Sequence, residues 1–559
     1  MNRSGEGRTG GQLVVDSLQV NGVDRVFSVP GESFLAVLDA LYDIPEIDLV
    51  VCRNEGGAAM MADAHGKLTG RPGICFVTRG PGAANACGGM HIAFQDSTPM
   101  ILFIGQVGRE HSDREAFQEI DYRRMFGQMA KWIAQIECVR RVPEYISHAF
   151  HVAMSGRPGP VVLALPEDML REMTTFSPPQ AAHTIQAHPG GDDIQTLGSL
   201  IEKAQHPVMM LGGSGWDARA CDSIQIFAEN CGLSVCVSFR AQDIFDNTHP
   251  NFIGELGLGV NPKLVEWVRS ADLLIAAGPR LGEMTTGGYR LLDIPCPKQT
   301  LVHVHSGAEE LGRVYRASLA INSGMKEFAE AAAALSRISS DRESIIAGMH
   351  REYLEWTEPS TIPGDLQLGE ILKWLRETIP ADSIICNGAG NYTAWVHRFY
   401  RYRQRGSQLA PTSGSMGYGT PAAVAAKRLY PERTVIAFAG DGCFMMNGQE
   451  MATAVHYGIN IIVIVVNNGI YGSIRMHQER NYPCRIIGTS LGNTDYAALA
   501  IAYGGHGETV MRTKDFASAF ERAQKSGKPA LIELRMDPEA ITPNATLSGI
   551  RKAAQAANG

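Results

Sequence analysis

The chain has 559 residues, 45% of them hydrophobic and 19% charged, the proportions of a globular protein with an ample core. Its formal net charge of -8, with no long basic block, argues against a general affinity for nucleic acid, and its best hydrophobic run, 459–466, is far too short to span a bilayer. Eleven scattered cysteines without a CxxC pair suit a reducing cytoplasm and free thiols, not a disulfide frame or a zinc site. The length corresponds to roughly three or four domains.

Residues 1–12, MNRSGEGRTGGQ, are polar and glycine-rich and read as a disordered terminus. Beyond them, short β-branched runs alternate with helical stretches: 74–78, 100–104, 161–164, 273–277, 434–439 and 461–466. Such near-continuous apolar runs suit strands of parallel sheets buried on both faces. Two Pro/Gly-rich breaks, at 177–192 and 355–369, divide the chain into domains over 13–176, 190–340 and 360–545. The expected fold class is therefore α/β: three domains of parallel sheet flanked by helices.

Taken in chain order, the first chemical candidate follows a strand over 26–29. The loop 30–33, PGES, places Glu32 where it can act as a general acid or base, or simply cap the helix that begins SFLAVLDAL. A second strand, 48–52, runs into RNEGGAA, so Glu55 sits at a strand-to-helix junction; read alone, it is an ordinary helix-start acid. Arg79 precedes a GPG turn and can recognise a carboxylate or phosphate, or pair with a surface acid. Further on, 411–420, PTSGSMGYGT, is a glycine-rich segment that permits tight backbone contact.

The strongest signal lies in the third segment. A strand over 434–439 runs into Gly440-Asp441-Gly442, a helix is expected over 446–457 with Gly458 closing it, and a strand over 461–466 ends at Asn467-Asn468. In a parallel sheet both strand ends emerge on the edge where ligands of open α/β sheets bind. Asp441 and Asn468 are thus expected to meet. A carboxylate and an amide oxygen are hard ligands that suit Mg²⁺, which keeps its remaining positions for phosphate oxygens and water. Gly440 and Gly442 allow close backbone approach, and the helix N-terminus favours a diphosphate. Either motif alone is a common turn or strand cap; the pairing across strand, helix and strand is what makes them specific.

GDG, a gap of 24 residues and NN resemble the thiamine diphosphate motif. The whole chain is similar to the group of acetolactate synthases, pyruvate oxidases and benzoylformate decarboxylases, and RNEGGAAMMADAHGKLTGRPGICFVTRGPGAAN resembles that group's cofactor-activating segment. The resemblance implies thiamine diphosphate and Mg²⁺, the metal being held by Asp441, the Asn468 side chain and the Ile470 carbonyl. It implies that Glu55 hydrogen-bonds the aminopyrimidine and so promotes the ylide nucleophile. It also implies that Pro81 and Asn85 lie near the pyrimidine, that the Gly414 carbonyl and Met416 amide bind it, and that Tyr471 and Gly472 border the cofactor beside Gly440 and Gly442. The glutamate and the metal then come from different subunits, which implies a homodimer or homotetramer with active sites at the interface, in the cytoplasm, with no nucleic acid or membrane partner.

Departures from the relatives concern the substrate. Glu32 stands where acetolactate synthases carry glycine, and Arg79 replaces a common serine. Phe117 and Gln118 resemble that family's AFQE segment and border the pocket, but 123–132 lacks its lysine and asparagine pattern. Ser473 and His477 occupy the places of the synthase's methionine and tryptophan; with Ile474 they face the substrate, although a lone histidine is more often structural. In the central segment His303, His305 and Ser306 replace the acid that holds a ribose hydroxyl, which disfavours FAD. The expected activity is a non-oxidative decarboxylase or carboligase of 2-oxo acids. The alternatives are a lyase of 2-hydroxyacyl-CoA or 2-hydroxy ketones, an FAD-containing oxidase, and a non-catalytic homologue.

Overall fold

The computed structural model describes residues 7–175, 179–338 and 341–558. The chain divides into two compact units. One runs to Ile185 and takes in 424–429; the other comprises the remainder from Gln186.

The first unit is built on a six-stranded, all-parallel sheet formed by Arg25–Ser28, Asp48–Val51, Gly73–Val77, Met100–Gln106, Trp132–Gln135 and Pro160–Pro166. Numbered along the chain, these strands lie in the order 2-1-3-4-6-5. Met100–Gln106 and Pro160–Pro166 are buried at every position, which is why their sequences read as unbroken apolar runs. Phe34, Phe76 and Phe103 lie in the core on one face, with the Phe76 and Phe103 rings stacked 4.5 Å apart.

The second unit holds two such sheets. The central one, Pro207–Leu211 to Leu319–Asn322, has the order 3-2-1-4-5-6; the last, Ile384–Asn387 to Ala530–Arg535, repeats the 2-1-3-4-6-5 order of the first unit. The architecture is thus three six-stranded parallel sheets flanked by helices, as the alternation of apolar runs implies.

Three expectations need correction. Residues 1–6 of the expected disordered terminus 1–12 lie outside the described residues, but the rest is ordered. Arg8–Thr9 pairs antiparallel with Met173–Thr174, and Thr9 caps helix Gly10–Val20 in a reciprocal capping box with Gln12. The central domain does not stop at 340: helix Glu343–Trp356 puts Met349 and Tyr353 into the cores on the two faces of the central sheet. The last domain does not stop at 545, because helix Leu547–Asn558 follows and its Arg551 grips buried Glu479. The start of the linker expected over 177–192 and the end of the segment expected at 340 fall on residues outside those described; 179–190 forms no helix or strand. All eleven cysteines are free, and no helix among the described residues is long and apolar enough to cross a membrane.

Candidate active site

Strand Val435–Gly440 pairs in parallel with Ile462–Asn467, Gly440 opposite Val466, so both strands deliver their carboxyl ends to one edge. Helix Asp441–Asn447 starts directly at Asp441, capped by Gly440. The expected continuous helix over 446–457 is instead two helices, Asp441–Asn447 and Glu450–His456. They are separated at Gly448, where a Cβ would lie 2.6 Å from the Phe444 ring.

Asp441 is 4% exposed. Its Oδ1 accepts from the Gly442 N–H at 2.8 Å, and its Oδ2 accepts from the Gly469 N–H at 2.8 Å. Burial raises its pKa above the usual carboxylate value, opposed by the backbone N–H groups of Gly442, Gly469, Asn468 and Ile470. The carboxylate and the loop after Asn467 are therefore in direct contact. The two asparagines there do different jobs. Asn467 turns inward, donating to Glu533 Oε1 at 2.6 Å and accepting from Gly469 N–H at 3.0 Å. Asn468 is half-buried, and its amide oxygen accepts from Ile470 N–H at 3.3 Å. Gly469 makes the turn with φ +71°, and Leu491 N–H and Tyr471 N–H fasten the loop to 489–491.

Gly440 and Gly442 are small for a reason other than ligand approach alone. A Cβ on Gly442 would meet a ring carbon of Tyr471 at 2.5 Å, and one on Gly440 would meet the Tyr392 ring at 3.3 Å. Tyr471 thus lies against the start of the helix, next to Asp441. Gly472 has its own neighbours, Ile541 and the Asn468 amide nitrogen, at 3.0 and 3.5 Å from a Cβ.

The 411–417 loop reaches the same edge after strand Gln408–Leu409. Gly414 takes φ +68°, Gly417 N–H donates to Cys443 Sγ at 3.2 Å, and a Cβ on Gly417 would collide with Met446 and Asn447. Gly414 and Met416 are therefore carried on a loop packed against the Asp441 helix. The segment 388–391 was not singled out from sequence, yet it belongs here. Gly388 follows the neighbouring strand Ile384–Asn387, donates to Tyr392 Oη at 3.0 Å, and has no room for a Cβ beside Cys443 Sγ, 2.6 Å away. The signal in sequence was a short strand followed by GAGN.

Helix Gly472–Asn481 leaves Ile474 54% exposed and His477 exposed, while Ser473 Oγ donates to Asn391 Oδ1 at 2.7 Å. The helix is anchored through Glu479, fully buried, which accepts from Arg475 and from Arg551 of the C-terminal helix; the Arg551 guanidinium, then Arg475, pull its pKa down to about 2.

In the first unit, Glu55 opens helix Glu55–Thr69 behind the Asn54 cap and is half-buried. Its Oε2 accepts from Asn85 Nδ2 at 2.9 Å, and a Cβ on Gly82 would stand 3.3 Å from Oε1. Asn85 and Pro81 lie on helix Pro81–Asp96, whose close packing on the Glu55 helix needs Gly56 and Gly89: a Cβ at either would reach the other helix. Gly56 is thus small for helix packing. At the same edge Gly80 is pressed against Gln118, whose φ is +66°, and donates to Tyr122 Oη at 3.1 Å. Phe117 is 71% exposed. Arg79 is paired with Glu167 at 3.3 Å, the bland alternative for that residue. Glu32 lies in the short turn Glu32–Phe34, exposed, its side chain with no hydrogen bond or ion pair among the described residues; its neighbour Ser33 does the joining, bonded to Thr78 at 2.9 Å.

The donors at the Asp441 edge fit a hard divalent cation: one carboxylate, one side-chain amide oxygen and backbone carbonyls. No cluster of three His, Cys, Asp or Glu ligands occurs among the described residues, so this edge offers oxygen chemistry rather than a thiolate or imidazole cage.

Comparison with known proteins finds matches over most of the chain. Residues 8–125 match the thiamine pyrophosphate enzyme N-terminal TPP binding domain, 194–332 the central domain, and 388–534 the C-terminal TPP binding domain. The acetolactate synthase large subunit of Mycobacterium tuberculosis is 31% identical over 92% of this chain and 86% of its own length. The acetolactate synthase isozyme 2 large subunit of Escherichia coli is 29% identical over 94% and 95%. Among solved structures, the thiamine diphosphate-dependent 4-hydroxybenzoylformate decarboxylase of Rhodococcus jostii RHA1 superposes with a TM-score of 0.83 at 25% identity, covering 95% of this chain and 99% of that one.

Proposed function

Since the chain belongs to the thiamine pyrophosphate enzyme family, we propose that it is a Mg²⁺-dependent, non-oxidative decarboxylase or carboligase of 2-oxo acids. The observation that carries this reading is the hydrogen bond from Gly469 N–H to the buried Asp441 carboxylate, which ties the GDG turn to the NN loop. Asp441, Asn468 and the Ile470 carbonyl hold the metal. The helix that begins at Asp441 presents its N–H groups to the diphosphate. When bound, thiamine diphosphate would supply a nucleophilic thiazolium carbon and an electron sink for decarboxylation.

The protein's own groups bind, orient and move protons. Glu55 keeps one oxygen on Asn85 and has the other for a ring nitrogen of the pyrimidine, where it holds a proton. The Gly414 carbonyl and Met416 amide fix the pyrimidine's orientation. Ile474, with an apolar exposed side chain, and His477 line the substrate side from one helix face, three residues apart. Glu32, whose side chain has no partner among the described residues, is the acid available to protonate product carbon or to steer the second carbonyl. The protein works as a homo-oligomer. Acetolactate synthesis itself is disfavoured by Ser473 and His477, which replace the bulky groups that select a second keto acid.

The test is a screen of purified protein, with thiamine diphosphate and Mg²⁺, against a panel of 2-oxo acids, following carbon dioxide and product mass. Carbon dioxide with an aldehyde or a 2-hydroxy ketone is expected. A pure protein that takes up no thiamine diphosphate in the presence of Mg²⁺ would refute the proposal.

A further inference from the structure

Arg240 follows strand Ser234–Val237 of the central sheet, far in sequence from every residue of the Asp441 edge. It is 8% exposed and has φ +61°, a left-handed conformation that costs a side-chain-bearing residue free energy unless its surroundings hold it there. Its surroundings do hold it. Its backbone N–H donates to Glu255 Oε1 at 2.7 Å, and its guanidinium packs over the Phe239 ring at 4.8 Å. Burial pushes the Glu255 carboxyl up to about 8 against the pull of Arg240, and its Oε1 is the oxygen that accepts from the Arg240 N–H.

The fork of the guanidinium then bridges two loops. Nη2 donates to the Gly388 carbonyl at 2.8 Å, and Nη1 donates to the Pro411 carbonyl. Gly388 begins the loop after the first strand of the last sheet; Pro411 begins the loop that carries Gly414 and Met416 after the second. Both loops abut Cys443, two residues past Asp441: a Cβ at Gly388 would lie 2.6 Å from its sulfur, and Gly417 N–H bonds that sulfur. One buried cation therefore sets the spacing of two loops at the edge read as the cofactor site.

We propose that Arg240 is a positioning residue for thiamine diphosphate, its two-pronged grip fixing the separation of the Gly388 and Pro411 loops so that the pyrimidine and diphosphate halves of the cofactor find their partners in register. This rests on the cofactor reading above and adds to it a role for the central domain that does not require a nucleotide. A planar fork can bridge two carbonyls; an ammonium is a compact charge that does not reproduce it.

The experiment compares wild type with Arg240→Lys, the charge-conserving variant. Thiamine diphosphate affinity is measured on the cofactor-free protein with Mg²⁺ by quenching of intrinsic fluorescence. Turnover at saturating cofactor and the thermal midpoint of the cofactor-free protein are measured alongside. The expected result is an affinity loss on the order of 10-fold or more, as for other supporting residues one layer out from a site, with turnover at saturation and the cofactor-free midpoint close to wild type. Wild-type affinity in Arg240→Lys overturns the proposal. So does a loss shared equally by affinity, saturated turnover and midpoint, which marks a general structural role. If Arg240→Lys does not fold, Arg240→Gln, which also removes the fork but can still reach one of the two carbonyls, is judged by the same criteria. Failure of the wild-type protein itself to bind the cofactor sinks the functional reading instead, and is seen before any variant is made.

Discussion

The first and last sheets share the strand order 2-1-3-4-6-5 but arm their carboxyl edges differently. After its third strand the first sheet enters a helix at Pro81, whereas the last sheet enters one at Asp441. The acid of the first sheet comes one strand earlier, as Glu55, and is half-buried with a single side-chain bond, to Asn85. Asp441 is buried, with backbone N–H groups on both of its oxygens. A carboxylate fixed by backbone donors is suited to gripping a cation without changing its protonation. A carboxylate with an oxygen to spare is suited to exchanging a proton. Topology decides where loops gather; the residue at each turn decides the chemistry.

The sharpest way to break that contrast is to remove both acids in turn. Asp441→Ala is expected to abolish Mg²⁺-dependent uptake of thiamine diphosphate, measured by titration calorimetry. Glu55→Gln is expected to keep uptake and lose ~10²–10⁴-fold in turnover, the usual contribution of a positioned proton-transfer group. If the two variants fail in the same way, the division of labour between the edges is wrong.

A smaller effect tests how tightly the Asp441 edge is packed. Gly442→Ala puts a methyl 2.5 Å from the Tyr471 ring, and overpacking of this kind costs about 1–3 kcal/mol. Urea unfolding should show that loss, and truncating Tyr471 to Ala in the same chain should recover part of it. An unchanged midpoint would mean the ring does not rest where the structure puts it.

The smallest effect concerns the latch on helix Gly472–Asn481. Glu479, held at about 2 by Arg551 and Arg475, has a folded pKa below its ordinary 4.5. Its contribution to stability is then present above pH 4.5 and is lost as pH falls from there toward 2. The thermal-midpoint gap between wild type and Arg551→Met should be constant from about pH 6 to 8 and should close on acidification below about pH 4.5. A gap that persists undiminished into acid would remove the ion pair from the account.

Sequence patterning located the last sheet closely. The strands expected at 434–439 and 461–466 appear as Val435–Gly440 and Ile462–Asn467, one residue later each. It misjudged the intervening helix, which breaks at Gly448 although that glycine keeps a right-handed helical φ of -63°, so the local pattern gives no sign of the break. It passed over 388–391, where a four-residue strand and a glycine pair carry too little periodicity to stand out.

By itself the sequence determined the three parallel sheets, through apolar runs that only a sheet covered on both faces can accommodate, and the meeting of Asp441 with the asparagine loop, because adjacent parallel strands must end on one side. Tertiary structure alone decided which polar groups are already paired: Arg79 with Glu167, Ser473 with Asn391, Glu479 with Arg551, Arg240 with two loops. Such pairings join residues tens to hundreds of positions apart, and local pattern carries no trace of them, because a hydrogen bond is set by distance and direction in space and not by separation along the chain.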